Sequence, residues 1–571
     1  MNKNEKLIAT LLGVLLAAYL GWQYFAPKPP APVPAPVPVS QSVAAKPAQM
    51  AAPAAAPATA DATSPANLLP AAQTAILENK DVRLTFSTHG ATLVKAEMLA
   101  YKAENTDDAK HVIIETGDLL NLSWANAPVV PMTLKSRTDT ALTYVGKVDG
   151  VDFERTVTLG KDYALDVTDT FRSAEAKTLA PYHLSVGGFR LNKEAGNLLS
   201  ADTLADGESK PVYREGKLGK VLGAKSAFLG CGTSTEAAGL PATGTENLPA
   251  PQTWIALKDR FFVTVLKPQV ALPGALTVSR DLTAKVLTPD CVSAAFDVPA
   301  VVLAANTPVQ STARLYVGPK KLSCLKAFGD HTRRIMDFGF FTWFCELLLP
   351  LLNFFNMLIP NYGIAIILLT LVVRIVFWPL THKSTVSMRK MSVVQPLIKE
   401  IQAKYKDNPQ KIQQETLQLY RQYKVNPFSS CLPMLIQIPI FIALFTVLRS
   451  AVELRFAGFL WIADLSQPEN LLAGILPVPL NILPILTALT MGLQTHLSPG
   501  AGDPAQKKMM TWMMPAMLLF MFYSMPSALC LYWTVSQVLS IVQMIWIRKT
   551  TGDGAVPPPP GKDAVVTVQA K

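Results

Sequence analysis

The chain has 571 residues, too many for one ordinary soluble core. Half of them are apolar and only 16% are charged, below the usual quarter, which excludes an average soluble globular protein. The apolar residues gather in one run at the N-terminus and several near the C-terminus, and more than half of the net charge of +11 falls in one segment between them. This is the pattern of a membrane protein carrying a water-soluble domain.

Residues 1–26 predict a transmembrane anchor. LIATLLGVLLAAYLGWQYFA, from 7 to 26, matches the length of about 20 residues that a spanning helix needs. Lys3 and Lys6 precede it, and Trp22, Tyr24 and Phe25 close it as an aromatic belt would. The alternative is a cleaved signal peptide, whose apolar core is shorter, about 7–15 residues. Residues 27–70 hold twelve prolines in 44 residues and read as an extended linker. Its role is reach between membrane and domain, or length that is merely tolerated.

Residues 71–327 predict a β domain, a sandwich or a pair of large antiparallel sheets. DVRLTFSTHGATLVKAEM, FERTVTLGKDYALDVTDTF and TWIALKDRFFVTVL alternate as half-buried strands do. The segment shows no metal-ligand cluster, phosphate loop or nucleophile elbow; His89, His111 and His183 are scattered. Such a fold is compatible with a carbohydrate-binding groove, but fold alone does not give function. Cys231, Cys291 and Cys324 allow at most one disulfide there, and packed free thiols are expected for most of the six cysteines.

Residues 328–346 mix charge with Phe338, Phe340, Phe341, Trp343 and Phe344 and predict an interfacial amphipathic helix. A five-helix core follows over 347–548, with spans at about 357–380, 431–448, 480–497, 511–526 and 528–547, and a tail over 549–571 expected to be disordered. With the anchor, the expectation is a polytopic α-helical membrane protein of six transmembrane helices with a large outer-face β-sandwich domain. Segment 381–428 carries nine Lys/Arg against three acids, +6 in all, and is placed in the cytoplasm by the positive-inside rule. The β domain then lies on the opposite face, which implies a bacterial inner membrane with a periplasm, both chain termini being cytoplasmic.

Within the basic segment, 384–424 predicts a helical hairpin, with Asn408 as a cap and Pro409 at the first helical position of its second arm. Arg389, Lys390, Lys399, Lys404, Lys411 and Arg421 could bind anionic lipid or ribosomal RNA, or could simply keep the loop inside.

One residue breaks the apolar pattern. Arg374 sits in LLTLVVRIVFWP, and by insertion scales a central arginine costs at least about 2.5–3.5 kcal/mol. The expected spans contain no Asp or Glu to pair with it. A water-filled groove or a transient acidic client would satisfy the charge. Thr370, one turn earlier, and Gln437, Gln494, Ser536, Gln537 and Ser540 could line such a groove, although each alone suits interhelical packing. Segment 509–525 holds seven of the 18 methionines, and Met510, Met513, Met514, Met517, Met521 and Met525 form one helical stripe. That stripe suits varied apolar clients or plain packing.

NYGIAIILLTLVVRIVFWPLT, YKVNPFSSCLPMLIQIPIFIALFTVLRSAVELR, WIADLSQPE, NILPILTALTMGLQ and PSALCLYWTVSQVLSIVQ, in this order, resemble the YidC family of bacterial membrane protein insertases in its Gram-negative form. The resemblance implies insertion and folding of inner-membrane proteins, alone or beside the Sec translocon, without bond chemistry and without a cofactor. It implies a hydrophilic groove open to cytoplasm and lipid that contains Arg374, with Thr370 as a client contact. Trp533, after Tyr532, falls where the family has an aromatic client contact, and Gln494 resembles a groove glutamine of some members. Met514, Met517 and Met521 would form its greasy wall, and 384–424 matches a mobile, required cytoplasmic loop. The β domain resembles a sandwich related to sugar-mutarotating folds. Implied partners are nascent membrane proteins, the Sec translocon, the ribosome and anionic lipids. Some relatives dock on the ribosome through a long basic tail; here 548–571 has only four basic residues, two acids and PPPP, so that route is not expected. The alternatives are a secondary transporter and a membrane-anchored sugar-binding β domain. Against the first stand the missing acids and the lack of a detectable repeat.

Overall fold

A computed structural model describes residues 71–550 except 107, 126, 128, 191–197, 215–216, 223–240, 281–288, 407, 424–431, 476 and 498–508. The expected anchor, linker and nearly all of the tail lie outside the described residues, as do Cys231 and Cys431. The other four cysteines are free thiols.

The segment expected to be β-rich is so. Strands Thr74–Glu78, Val82–Ser87, Thr92–Lys102 and His111–Leu119 pair in sequence order into a four-stranded antiparallel sheet. A larger antiparallel sheet takes most of the remaining strands. Val151–Leu159 shows why the sequence was legible. Its residues alternate between buried and open positions, and it pairs on one side with Ala141–Val148 and on the other with Ala164–Arg172. Phe153 of this strand stacks on Phe171, ring centroids 4.9 Å apart. Inner-face residues of both sheets belong to one continuous apolar core.

Three buried cations are paired among the described residues of this domain, and Arg214 with Glu246 is the most open of them. Arg155, fully buried, makes a fork on Asp169, Nε to Oδ1 and Nη2 to Oδ2 both at 2.7 Å, and also donates to the carbonyls of Gly90 and Leu120. Lys258 pairs with buried Asp202 and donates to the Ile335 carbonyl at 2.8 Å. Such pairs are tolerable in a core because the partner charge and the fixed carbonyls replace water.

The last strand, Val309–Pro319, leads into helix α1 (Leu322–Phe328). The helix expected over 328–346 is formed only from Thr342 on. Gly329, Asp330, His331, Asp337 and Gly339 all have positive φ, which an α-helix cannot contain, and only short 3-10 turns appear at Thr332–Met336 and Gly339–Phe341. The helix begins later, as α2 (Thr342–Leu358), and Gly339–Leu358 is long and apolar enough to cross a membrane.

Helix α3 runs Tyr362–Lys404, 43 residues or about 65 Å. The side chain of Asn361 caps it by accepting from the Ile364 amide at 3.2 Å, so the apolar segment expected from 357 starts at 362. The first apolar segment and the first arm of the hairpin are thus one helix. The second arm is α4 (Pro409–Gln422), capped by Asn408 through the Lys411 amide at 3.1 Å, with Pro409 at its start, as the sequence implied. Helices α5 (Leu432–Ser450), α6 (Ile482–Leu497), α7 (Met514–Phe522) and α8 (Ser527–Thr550) follow. The segment expected over 511–526 is a short α-helix behind a π-helical turn at Met509–Met513. Tyr362–Met388 and Ser527–Ile547 are long enough to span, whereas Gln437–Ser450, Ile482–Leu497 and Thr511–Phe522 are shorter apolar helices.

The loop after α5 is fastened to the β domain. Arg455 is buried and donates to the carbonyls of Lys102 and, at 3.1 Å, Ala103. Arg260, from the β domain, donates to the carbonyls of Arg449 and Ser466, both at 2.8 Å.

Candidate functional site

Helices α3 and α8 pack along each other and carry matched polar residues. Arg374 Nε on α3 donates to Ser536 Oγ on α8 at 3.0 Å, and its Nη2 reaches the same oxygen. Seven residues further along both helices, Gln543 Nε2 donates to Thr381 Oγ1 at 2.9 Å. The equal offset means that the two helices run parallel in one register. Tyr532, Ser536, Ser540 and Gln543 recur every three or four residues as one polar stripe of α8, of which Ser536 and Gln543 meet α3. This stripe was the available signal for Gln543, which sequence reasoning missed.

Arg374 is half-buried, and among the described residues it makes no ion pair. Its anchor is a neutral hydroxyl, and that hydroxyl belongs to a buried serine. Near it, Gln437 of α5 donates from Nε2 to the Tyr532 hydroxyl at 2.7 Å, so α5 joins the same polar cluster. Across the core, Thr487 of α6 and Thr534 of α8 share a hydrogen bond at 2.7 Å. Polar contacts therefore tie α8 to three neighbours at successive levels, while Ile375 and Val376 on α3 are exposed at 60% and 64% and present an apolar outside. A cation with one hydroxyl partner keeps most of its capacity to attract carboxylate, carbonyl or water.

The other expected site residues divide. Thr370 is fully buried and donates to the Ile366 carbonyl of its own helix at 2.6 Å, so its hydroxyl is turned into the backbone. Trp533 is half-buried between Phe441 and Phe522, centroids 5.0 and 5.4 Å away, and its indole N–H is buried with no acceptor among the described residues. Gln494 and Gln537 are half-buried on α6 and α8. Met514 and Met521 are half-buried and Met517 is 41% exposed, so this part of the stripe is neither wholly core nor wholly surface.

In the basic arms, Lys399, Lys404, Lys411 and Arg421 are exposed and Lys390 is half-buried; the side chain of Arg389 lies outside the description. Lys404 and Lys411 sit over the ring of Tyr405 at 5.5 and 4.9 Å, which fastens the two arms at their tip.

Together these features define a membrane-embedded helical protein with a large β domain and a polar, singly charged seam inside an apolar bundle. Residues 75–351 match the family model of the YidC periplasmic domain, and 354–553 match that of the 60Kd inner membrane protein. The membrane protein insertase YidC of Syntrophobacter fumaroxidans is 42% identical over 306 residues, 53% of this chain and 54% of that protein. That of Pelobacter propionicus is 43% identical over 253 residues, 43% of this chain and 46% of that protein. The chain spans about half the length of the curated relatives it matches. An active YidC insertase whose crystal structure resolves the first transmembrane domain aligns over 84% of this chain and 92% of its own, at 20% identity and a TM-score of 0.34. The chain belongs to the YidC family.

Proposed function

We propose that the protein is a membrane protein insertase and folding chaperone of the bacterial inner membrane, moving clients through a hydrophilic groove, alone or with the Sec translocon. The observation that carries this reading is Arg374, a cation held inside an apolar bundle by the hydroxyl of Ser536 and by no carboxylate among the described residues. The structural arginines of this chain are held by a carboxylate fork, as Arg155 is, or by two carbonyls, as Arg455 is, since an uncompensated buried charge is costly. An arginine left on a hydroxyl lowers the cost of bringing a polar or acidic client segment to the same depth. The names of the relatives support the same activity.

In this reading the chain has six spans, with the N- and C-termini and the 384–424 hairpin in the cytoplasm and the β-sandwich in the periplasm. Arg374, Thr370, Gln437, Gln494, Tyr532, Trp533 and Gln537 line or support the groove, and Met514, Met517 and Met521 form its apolar wall. Thr370 acts from behind the surface, because its hydroxyl is bonded to its own helix. The partners are nascent membrane proteins, the Sec translocon, the ribosome and anionic lipids, the last two through the basic hairpin. The free energy comes from burying client helices in lipid, so no cofactor is required.

The test is a photo-crosslinker placed at Gln537, at Met517 and, as a control, at Val270 of the β domain, which is 70% exposed. A stalled nascent inner-membrane protein should crosslink from the first two positions. Equal crosslinking from all three, or from Val270 alone, would contradict the groove.

A further inference from the structure

The segment that joins α5 to α6 ends in two apolar tips. In the first, the Phe459 amide donates to the Ile462 carbonyl and the Ile462 amide to the Phe459 carbonyl, both at 2.9 Å, so Leu460 and Trp461 form the whole turn. Such tight turns ordinarily carry Asn, Asp or Gly. Here Leu460 holds a left-handed φ of 52° and is 76% exposed, with Trp461 exposed beside it. In the second, Leu471 and Leu480 exchange backbone bonds in the same way, and Leu472 is left-handed at φ 57°. Leu472, Ile475 and Val478 are exposed, Ile475 at 78%, and 471–480 carries no polar side chain. Bulky residues in left-handed backbone are strained, and a water-facing tip gives no reason to keep them there.

Charge and position say what covers them. The charges of 456–480 are Asp464 and Glu469, and both are turned into the backbone. Asp464 Oδ1 accepts from the Phe456 and Ser466 amides at 3.1 and 2.8 Å, and Glu469 accepts from the Ile482 and Leu483 amides that open α6. The tips therefore lack the polar rim that a protein partner ordinarily meets. The first tip packs on the start of α3, where a Cβ on Gly363 would fall 2.1 Å from the Phe459 ring. Just before α3, α2 ends in the exposed Met357 and Leu358, and Leu358 continues an exposed stripe of Trp343, Leu347 and Phe354 along α2. That helix is long and apolar enough to cross a membrane, so its stripe is a lipid-facing surface that the tip extends. The side is that of the β domain, because Asn105 Nδ2 donates to the Ala463 carbonyl at 2.9 Å and Arg455 donates to the Lys102 and Ala103 carbonyls.

We propose that the Leu460–Trp461 turn and the 472–479 loop are seated in the hydrocarbon edge of the leaflet on the β-domain side, so that phospholipid acyl chains cover this end of the bundle. Trp461 then stands at the depth where tryptophan is favoured in membranes. The seat is the same whatever the groove carries. Full-length protein is labelled with bimane through Leu460→Cys, Ile475→Cys or Val270→Cys in an otherwise cysteine-free chain and reconstituted into phosphatidylcholine vesicles. Val478→Cys gives a second position in the longer loop should Ile475→Cys fail to assemble. Emission is quenched by nitroxide lipids labelled near the headgroup or near the chain end, and separately by iodide in the water.

The expected result is that the labels on both tips lose most of their emission to the nitroxide near the headgroup, less to the one near the chain end, and little to iodide. The label at Val270, 70% exposed on the β domain, should lose emission to iodide alone. Iodide quenching of the tips equal to that at Val270 would put them in water and overturn the proposal. Protection of the tips from both lipid nitroxides and iodide would mean that protein covers them, a second copy or a client, and would overturn the lipid assignment.

Discussion

Two arginines set the two regions of the molecule apart. In the β domain, Arg155 is wholly buried, forked on Asp169 and satisfied further by two carbonyls. In the helical core, Arg374 is half-buried and rests on one serine hydroxyl. The same side chain is a closed structural unit in one place and an open cation in the other. Lys258, paired with Asp202, repeats the β-domain pattern. The lesson is that burial alone does not assign a charged residue: the partner does. A neutralised cation holds its own fold, and a cation on a hydroxyl remains able to hold something else.

The largest effect expected is loss of function without loss of fold. Removing 384–424 should abolish insertion while the apolar helices still assemble, because those arms would receive the chain at the cytoplasmic mouth. Insertion of a model client into vesicles, measured beside membrane extraction of the shortened protein, decides it. A stable deletion that still inserts would reduce the hairpin to a connecting loop.

Next comes the closed arginine. Arg155→Ala leaves Asp169 buried and unpaired and should cost about 3–5 kcal/mol, a typical loss for breaking a buried pair. Thermal unfolding and limited proteolysis of the β domain would read it. A midpoint unchanged from the parent would show that the pair contributes nothing and would blur the contrast with Arg374.

The smallest effect involves Glu453, which follows α5. One of its carboxylate oxygens accepts from Asn353 Nδ2 at 3.4 Å, and the other is buried without a partner among the described residues. Burial pushes its pKa up. A carboxyl with a raised pKa in the folded state adds stability below its ordinary pKa, and that stability is lost as the pH climbs through the raised value. Glu453→Gln should therefore raise the unfolding free energy at neutral pH by about 1 kcal/mol, read as a higher unfolding midpoint. The gain should vanish as the pH falls below the ordinary carboxylate range. A gain that is constant across pH would remove the protonation argument.

Much of the β domain was legible because half-buried strands write their alternation directly into sequence, as Val151–Leu159 does. The cap at Asn408 with Pro409 was legible for a similarly local reason. The 328–346 region was not, because its aromatic composition is that of an interfacial helix while Gly329, Asp330, His331, Asp337 and Gly339 adopt left-handed backbone. Continuity of α3 through Lys404 was hidden because an apolar segment and a basic segment share one helix, and polarity reports the surroundings and not the backbone. At the candidate site, the sequence exposed Arg374 and its lack of an acidic neighbour. It could not show that Ser536 is the partner, that Gln437 reaches Tyr532, or that Thr370 turns inward, since each is a contact across or within packed helices.

The open cation is tested most directly by paired clients. Two versions of one single-span protein, with an acidic and a neutral outer segment, are presented to the parent, Arg374→Lys and Arg374→Ala, with insertion normalised to folded protein. Arg374→Lys should keep much of the activity, since charge matters more here than the planar fork. Arg374→Ala should fold at least as well as the parent, having lost a costly charge, yet insert the acidic client about tenfold less well, as removal of one charge-assisted contact implies. The neutral client should suffer less. Equal insertion of both clients by Arg374→Ala would make Arg374 a topology anchor and contradict its role in the groove.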